Sequence, residues 1–353
     1  MGALTRDPDE TAEALASWLS TVPARSDVSV AHVSIPRTTG WSNETVLFDA
    51  SWRHHGVVEH HELVARIAPR HHQVFVDQTF DRQFAVMKAL ADHSDVRVPR
   101  TYWFESDPSW FDAPFWIIER VSGDIPSDAP PYAGAGWLKD ASTDQQRRAW
   151  WSGVDAMAGI HNVDVGAIAI PVDTFLPSEG AIGWHLDHYD RFLEWAEDGR
   201  PHLPARRALG RLRADPPPPP EGGATITWGD ARLSNLIYRD FEVAAVLDWE
   251  MTALGDPLLD LGWWLFADEA LTTGSGCARL PGFPPADETA RYWADRTGRS
   301  IGALDYFVLF AGLRFTVIML RMGKLLFEMG LVPRTFAHDN LISSALEGLL
   351  ESW

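Results

Sequence analysis

Three oxygen-bearing side chains stand at a spacing suited to phosphate chemistry. Asp230 and Asn235 fall in the string Trp228-Gly229-Asp230-Ala231-Arg232-Leu233-Ser234-Asn235, and Asp248-Trp249-Glu250 follows after twelve further residues. Moving a phosphoryl group onto a hydroxyl requires a carboxylate to orient the nucleophile and hard oxygens to hold magnesium at the phosphates. Asp230 suits the first task. Asn235 and Asp248 suit the second, because Mg2+ takes few protein oxygens and keeps several waters. The competing reading makes them turn-forming residues on a surface hairpin, for which Asp and Asn are equally apt.

The elements that must position them can be read from the pattern. The segments 236–238 and 243–247, turning at 239–242, form a hairpin that returns Asp248 beside Asn235, with a strand ending at Trp228 before it. Upstream, the residues 28–35, 44–52 and 57–67 read as strands, and a turn at 38–43 separates the first two. Phe80, Phe84, Met87 and Leu90 recur at helical spacing. Strands follow at 99–105 and 115–121. Beyond Gly123 the character becomes helical. Ser142 and Gln145 form a capping box, and Trp150, Val154, Met157 and His161 share one helical face. Amphipathic helices are expected near 184–196, 256–267 and 301–330, while the prolines between Asp215 and Glu221 suit an extended spacer. The pattern predicts a strand-rich lobe over 1–121 and a helix-rich lobe over 122–353, an α+β chain.

The Trp-Gly-Asp-x4-Asn string with Asp-Trp-Glu, backed by Gly255-Asp256-Pro257 and Asp260, resembles the aminoglycoside phosphotransferase family over roughly residues 30–330. The resemblance implies a two-lobed protein-kinase-like fold with ATP or GTP in the cleft, and transfer of the γ-phosphoryl group to a hydroxyl of a small molecule. It implies Asp230 as catalytic base, Asn235 and Asp248 as Mg2+ ligands, and Asp260 as the acid bracing the catalytic loop. Gly40, Ser42 and Asn43 occupy the place of the nucleotide-covering turn. Arg66 stands where a phosphate-contacting lysine is expected, as in relatives linked to acyl-CoA dehydrogenases. Glu119 and Val121 fall on the hinge that would meet adenine through the backbone. Three positions depart from the pattern: Trp228 for histidine, Arg66 for lysine, and Gln83 for the glutamate of the first-lobe helix. They motivate a rival reading, a nucleotide-binding module without turnover. A hydroxyacyl-thioester or other metabolite kinase is a second enzymatic alternative to an antibiotic kinase.

Composition bounds the rest. The 353 residues carry 30 Lys+Arg against 49 Asp+Glu, a formal charge of −19, which disfavours nucleic acid and anionic membrane as partners. Cys277 is the single cysteine, so no intrachain disulfide forms. The N-terminus shows no apolar leader and the apolar stretch 306–320 contains Arg314, so a cytoplasmic protein is expected. The pairs His54-His55, His60-His61 and His71-His72 are poor chelators, because neighbours on a strand face opposite ways. His161 reads as a packing or helix-end residue. Seventeen tryptophans offer mostly core, with some available to wall a substrate pocket. Asp187, Asp190, Glu194, Glu197 and Asp198 supply either carboxylates for a polycation or a solvated helix face.

Overall fold

A computed structural model of the chain describes residues 6–36, 43–69, 73–77, 79–168 and 182–353. They gather into two compact units, Met1–Phe75 with Pro99–Val121, and Val76–Val98 with Ser122–Trp353. One break falls at Val121/Ser122. The segment 76–98, expected with the first lobe, belongs to the second unit.

The first unit is an antiparallel sheet backed by one helix. Helix α1 (Pro8–Thr21) precedes β1 (Arg25–Ser34), β2 (Glu44–His54), β3 (Val57–Ile67), β4 (Thr101–Glu105) and β5 (Phe115–Glu119), and the sheet order is β1-β2-β3-β5-β4. Alternation places Val46, Phe48, Ala50 and Trp52 of β2 with Leu63, Ala65 and Ile67 of β3 on the buried face. Leu15, Trp18 and Leu19 of α1 pack against them. The sequence reading overlooked α1. Its start is nonetheless written in the chain: Asp7 Oδ1 accepts from the N–H groups of Asp9 at 2.9 Å and Glu10 at 3.1 Å, and Pro8 sits in the first turn.

The second unit is mainly helical: α2 (Phe80–His93), α3 (Trp137–Asp140), α4 (Thr143–His161), α5 (Ile182–Glu197), α6 (Leu203–Ala214), α7 (Leu258–Leu271), α8 (Ala286–Thr297), α9 (Leu304–Glu328) and α10 (Leu341–Ser352). Two short antiparallel pairs lie among them, β6 (Thr225–Thr227) with β9 (Ala253–Gly255), and β7 (Leu236–Arg239) with β8 (Glu242–Val246). The capping box of α4 is present, with Gln145 N–H donating to Ser142 Oγ at 3.3 Å and Ser142 N–H to Gln145 Oε1 at 2.9 Å. Helices α7 and α9 approach closely at Gly262, where an added Cβ would lie 2.6 Å from the Phe307 carbonyl. Helix α9 is 25 residues long, with the length and composition of a membrane span, but 78% of its most apolar window is buried within this unit. It is the central core helix, and it carries Arg314 inside. The strand-rich first unit and helical second unit make an α+β, two-lobed protein-kinase-like fold.

Candidate active site

Strand β6 delivers the chain to Trp228 while its partner β9 holds the segment that follows Glu250. Thr227 Oγ1 donates to Ala253 O at 3.1 Å and Thr252 Oγ1 to Thr227 O at 2.8 Å, so the two loops leave one ladder side by side. Gly229 has φ 94°, and a Cβ there would lie 2.2 Å from Met251 O; only glycine fits. The loop closes in a 3-10 turn over Leu233–Asn235 and enters β7. Pairing of Leu236 with Val246 brings the chain back, and Leu247 N–H donates to Asn235 O at 2.9 Å. The residue before Asp248 is thus anchored on Asn235, as the hairpin reading expects. Asp248 adopts φ 61°.

Asp230 is 6% exposed and richly held. Trp263 Nε1 of α7 donates to Oδ1 at 2.8 Å, and Asn235 Nδ2 donates to Oδ2 at 2.7 Å. Arg232 Nε lies 3.0 Å from Oδ2 and 2.9 Å from Oδ1. Asn235 Nδ2 also reaches Asp230 O at 3.0 Å. Both partners of that nitrogen are acceptors, so the amide is fixed and its Oδ1 turns away from Asp230. That oxygen, with the carboxylate of Asp248, fits a small hard cation that keeps much of its water.

Behind the loop, Asp260 is fully buried. Its Oδ2 accepts from Trp228 N–H at 2.6 Å and its Oδ1 from Gly229 N–H at 2.8 Å. His161 Nε2 meets Oδ2 at 2.9 Å, and Trp293 Nε1 meets His161 Nδ1 at 3.0 Å. Indole only donates, so Nδ1 accepts and Nε2 carries the proton given to Asp260. His161 therefore holds the bracing acid, a role that its place at a helix end did not reveal. Arg314, also buried, donates from Nη2 to Gly229 O at 2.8 Å and stacks 4.7 Å from the Trp263 ring.

Trp228 keeps a ring donor in the loop: its Nε1 donates to Leu247 O at 2.7 Å. Arg232 joins Asp230 to Asp128, whose Oδ2 also accepts from Ser234 Oγ at 3.1 Å. Burial works against the Arg232 charge, but Asp230, Asp128 and Asp248 outweigh it and raise its pKa above the usual arginine value. Asp128, Tyr132, Arg232 and Ser234 also line a small void of about 10 Å3 beside Trp150 and Trp264, room for about one water. Those two tryptophans are core.

The acids of α5 are engaged by α6. Arg213 pairs with Asp187 at 2.8 Å and Asp190 at 3.0 Å, and Arg206 pairs with Asp190 at 3.0 Å and Glu197 at 2.5 Å. Lys324 pairs with Asp198. Most of this row is a set of ion pairs between helices.

In the first unit, Arg66 alternates with buried Ala65 and Ile67, and its Nη1 donates to Thr45 Oγ1 at 2.7 Å across the β2–β3 ladder. Glu119 N–H is committed to Arg100 O at 2.8 Å, and Arg120 N–H to Glu62 O at 3.0 Å. Val121 ends this unit. Asn43 is buried, whereas Gly40, Ser42, His71 and His72 lie outside the described residues. Gln83, in the second unit, is buried with Nε2 3.4 Å from Thr79 Oγ1. Sequence reasoning missed Trp263 and Asp128, and took Arg314 for a mere break in an apolar stretch.

A sequence model of the phosphotransferase enzyme family matches residues 35–295. Acyl-CoA dehydrogenase family member 10 of Mus musculus is 32% identical over 208 residues, 57% of this chain and 18% of that protein. Family member 11 of Gallus gallus is 27% identical over 186 residues, 52% of this chain and 22% of that protein. The chain thus spans about a fifth of the length of these curated relatives. Among solved structures, a candidate aminoglycoside phosphotransferase from Ralstonia eutropha aligns with a TM-score of 0.69 at 21% identity, covering 96% of this chain and 98% of that one. The macrolide 2'-phosphotransferase MphH from Brachybacterium faecium aligns at 0.55 and 18%, covering 95% and 98%. A thermostable mutant of aminoglycoside phosphotransferase APH(4)-Ia, in ternary complex with ADP and hygromycin B, aligns at 0.54 and 15%, covering 92% and 95%.

Proposed function

Because the chain belongs to the phosphotransferase enzyme family, we propose that it moves the γ-phosphoryl group of ATP or GTP to a hydroxyl of a small molecule. The observation that carries this reading is the shared hydrogen bond between Asn235 Nδ2 and Asp230 Oδ2. It orients the carboxylate that would accept the hydroxyl proton and, by the same contact, frees Asn235 Oδ1 for a metal. Asn235 and Asp248 would hold Mg2+. Bound with the nucleotide, the metal neutralises charge on the phosphates. Arg66 would contact phosphate as a planar fork, beside the covering turn at Gly40, Ser42 and Asn43. Glu119 and Val121 would offer backbone to the base. Solved proteins of this fold bound to ADP with hygromycin B and to GDP with kanamycin make a purine nucleotide donor and a hydroxylated acceptor reasonable.

A metabolite acceptor, such as a hydroxyacyl thioester, is the second reading. Two things favour it over a polycationic antibiotic: the α5 acids are engaged by Arg206 and Arg213, and the curated relatives carry acyl-CoA dehydrogenase names.

The test is a paired measurement on Asp230→Asn. Losing the negative charge removes general-base assistance, so turnover on an identified acceptor should fall about 10²–10⁴-fold. The Kd for Mg·ATP should change little, because the acceptor hydroxyl is absent from that complex. Retained turnover in a variant that melts like wild type defeats the assignment. Lost ATP affinity would make Asp230 a structural acid of the loop.

A further inference from the structure

We propose that Arg232 is the resident counter-cation of a carboxylate cluster formed by Asp128, Asp230 and Asp248, so that a divalent metal gains the site only together with nucleotide phosphates. The inference rests on the reading of Asp248 and Asn235 as metal ligands and adds a reason for metal and nucleotide to enter as one.

The guanidinium is built into place. Arg232 Nε bridges both oxygens of Asp230, at 2.9 and 3.0 Å, and Nη1 binds Asp128 Oδ2. Asp128 is itself fixed, since Ser234 Oγ donates to the same oxygen at 3.1 Å. The loop bearing Asp128 is tied at both ends. Asp124 and Tyr238 exchange N–H···O bonds of 2.8 Å, and Tyr132 Oη donates to Asp268 Oδ1 at 2.7 Å. The Asp230 Oδ2 that meets Arg232 Nε at 3.0 Å also accepts from Asn235 Nδ2 at 2.7 Å, which sets the guanidinium beside the proposed metal ligands, and the negative charge of Asp248 favours the charged guanidinium. Arginine does not deprotonate in proteins, so this positive charge cannot be shed when a metal approaches. A bare divalent cation therefore meets a fixed like charge beside its ligands. Nucleotide phosphates bring the negative charge that offsets the guanidinium, and the metal can then settle on Asp248 and Asn235.

The probe is Mn2+ binding to the full chain without nucleotide, followed by electron paramagnetic resonance. Wild type and Arg232→Lys should bind it weakly. Arg232→Gln should bind it at least about tenfold more tightly, because a unit charge near the ligands is gone. Adding Asp248→Ala to Arg232→Gln should abolish that gain. Asp128→Ala leaves the guanidinium less compensated, so its Mn2+ affinity should fall about threefold or more. An Arg232→Gln protein that melts normally yet binds Mn2+ no tighter than wild type overturns the proposal. So does an Asp128→Ala protein with unchanged or tighter binding, which keeps the test decisive if Arg232→Gln does not fold. A gain that survives loss of Asp248 removes that acid from the cluster and refutes the proposal in this form. Mg·ATP binding to wild type is measured alongside. Its absence would refute the phosphotransfer reading itself, whereas normal ATP binding with no change in Arg232→Gln refutes only the counter-cation.

Discussion

Trp228 stands two positions before Asp230, where the family resemblance leads one to expect histidine, and its indole N–H reaches Leu247 O at 2.7 Å. The same residue 247 is held at its N–H by Asn235 O. Leu247, the residue before Asp248, is thus pinned at both of its backbone polar groups, one of them by a donor that does not titrate. Trp228→Phe keeps much of the packing and strands a partly buried carbonyl. It should cost about 1–3 kcal/mol of stability in denaturant unfolding and weaken Mg·ATP binding in calorimetry. A stability loss with unaltered Mg·ATP affinity would confine Trp228 to packing. Trp263→Phe works on the other oxygen of the pair. It removes the 2.8 Å donor to Asp230 Oδ1, and hydrogen bonds to charged groups are worth roughly 1.5–3 kcal/mol. Turnover should fall by about tenfold or more, with the KM for nucleotide little changed; a loss confined to KM would contradict that. That Asp230 meets Asn235 and that the chain entering Asp248 returns to Asn235 was legible because one loop and one hairpin contain them. Trp263 and Arg314 were not, since they reach the loop from α7 and α9, 33 and 85 residues along the chain from their hydrogen-bond partners.

Helix α5 has two faces with opposite electrostatics. Its acids pair with α6, while His185 is buried and His188 is partly buried, 3.2 Å from Asp77 Oδ2. Burial, with a smaller contribution from Arg314, lowers His185 to about pH 3; burial also lowers His188 to about pH 4, although Asp77 opposes the shift. Both rings are neutral when folded, and in the unfolded chain they would protonate near pH 6.5. Their contribution to stability is therefore complete above about pH 6.5 and is lost as pH falls toward 4 and below, at up to about 1.4 kcal/mol per pH unit for each ring. His185→Gln should flatten the decline in melting temperature between pH 7 and pH 5 relative to wild type. Parallel declines would show that His185 is protonated in the folded state at pH 5. Element boundaries were legible where caps and periodicity agreed, as at Ser142 and over β3. Helix α10 was not singled out within the largely helical remainder, although Gly330 and Pro333 break the chain before it and Asn340 Oδ1 accepts from Ile342 N–H at 3.0 Å and Ser343 N–H at 3.1 Å. The β7–β8 turn uses Asp240 and Phe241 at φ 52° and 63°. Phenylalanine in the left-handed region carries none of the glycine signal that marks such turns. The α5 acids looked free because a row of charges shows no partner until α6 is folded beside it.

At the scale of the molecule, the division into a sheet-bearing and a helical unit was legible from the change in periodicity after Gly123. Ownership of residues 76–98 was not, because α2 is amphipathic whichever core it joins. Three contacts show where it belongs: Arg97 Nη1 donates to Val243 O, Val246 N–H to Arg97 O at 2.7 Å, and Thr79 Oγ1 to Glu250 O at 3.1 Å. A fragment of residues 122–353 would lack all three. It should melt without a cooperative transition or well below the full chain, with fast hydrogen exchange at Val246, and a peptide of residues 76–98 should slow that exchange. Cooperative melting of the fragment at the full-length temperature would contradict this. The interleaving also has a consequence for the order of events at the ribosome. Helix α2 emerges about 150 residues before the strand it ties down, and the first unit needs β4 and β5, which come after it. Neither unit can be finished by reading the chain straight through. The segment carrying Asp248 settles only after residues made long before have waited for it, and the loop proposed to do the chemistry waits in turn for Trp263 and Arg314, which are made later still.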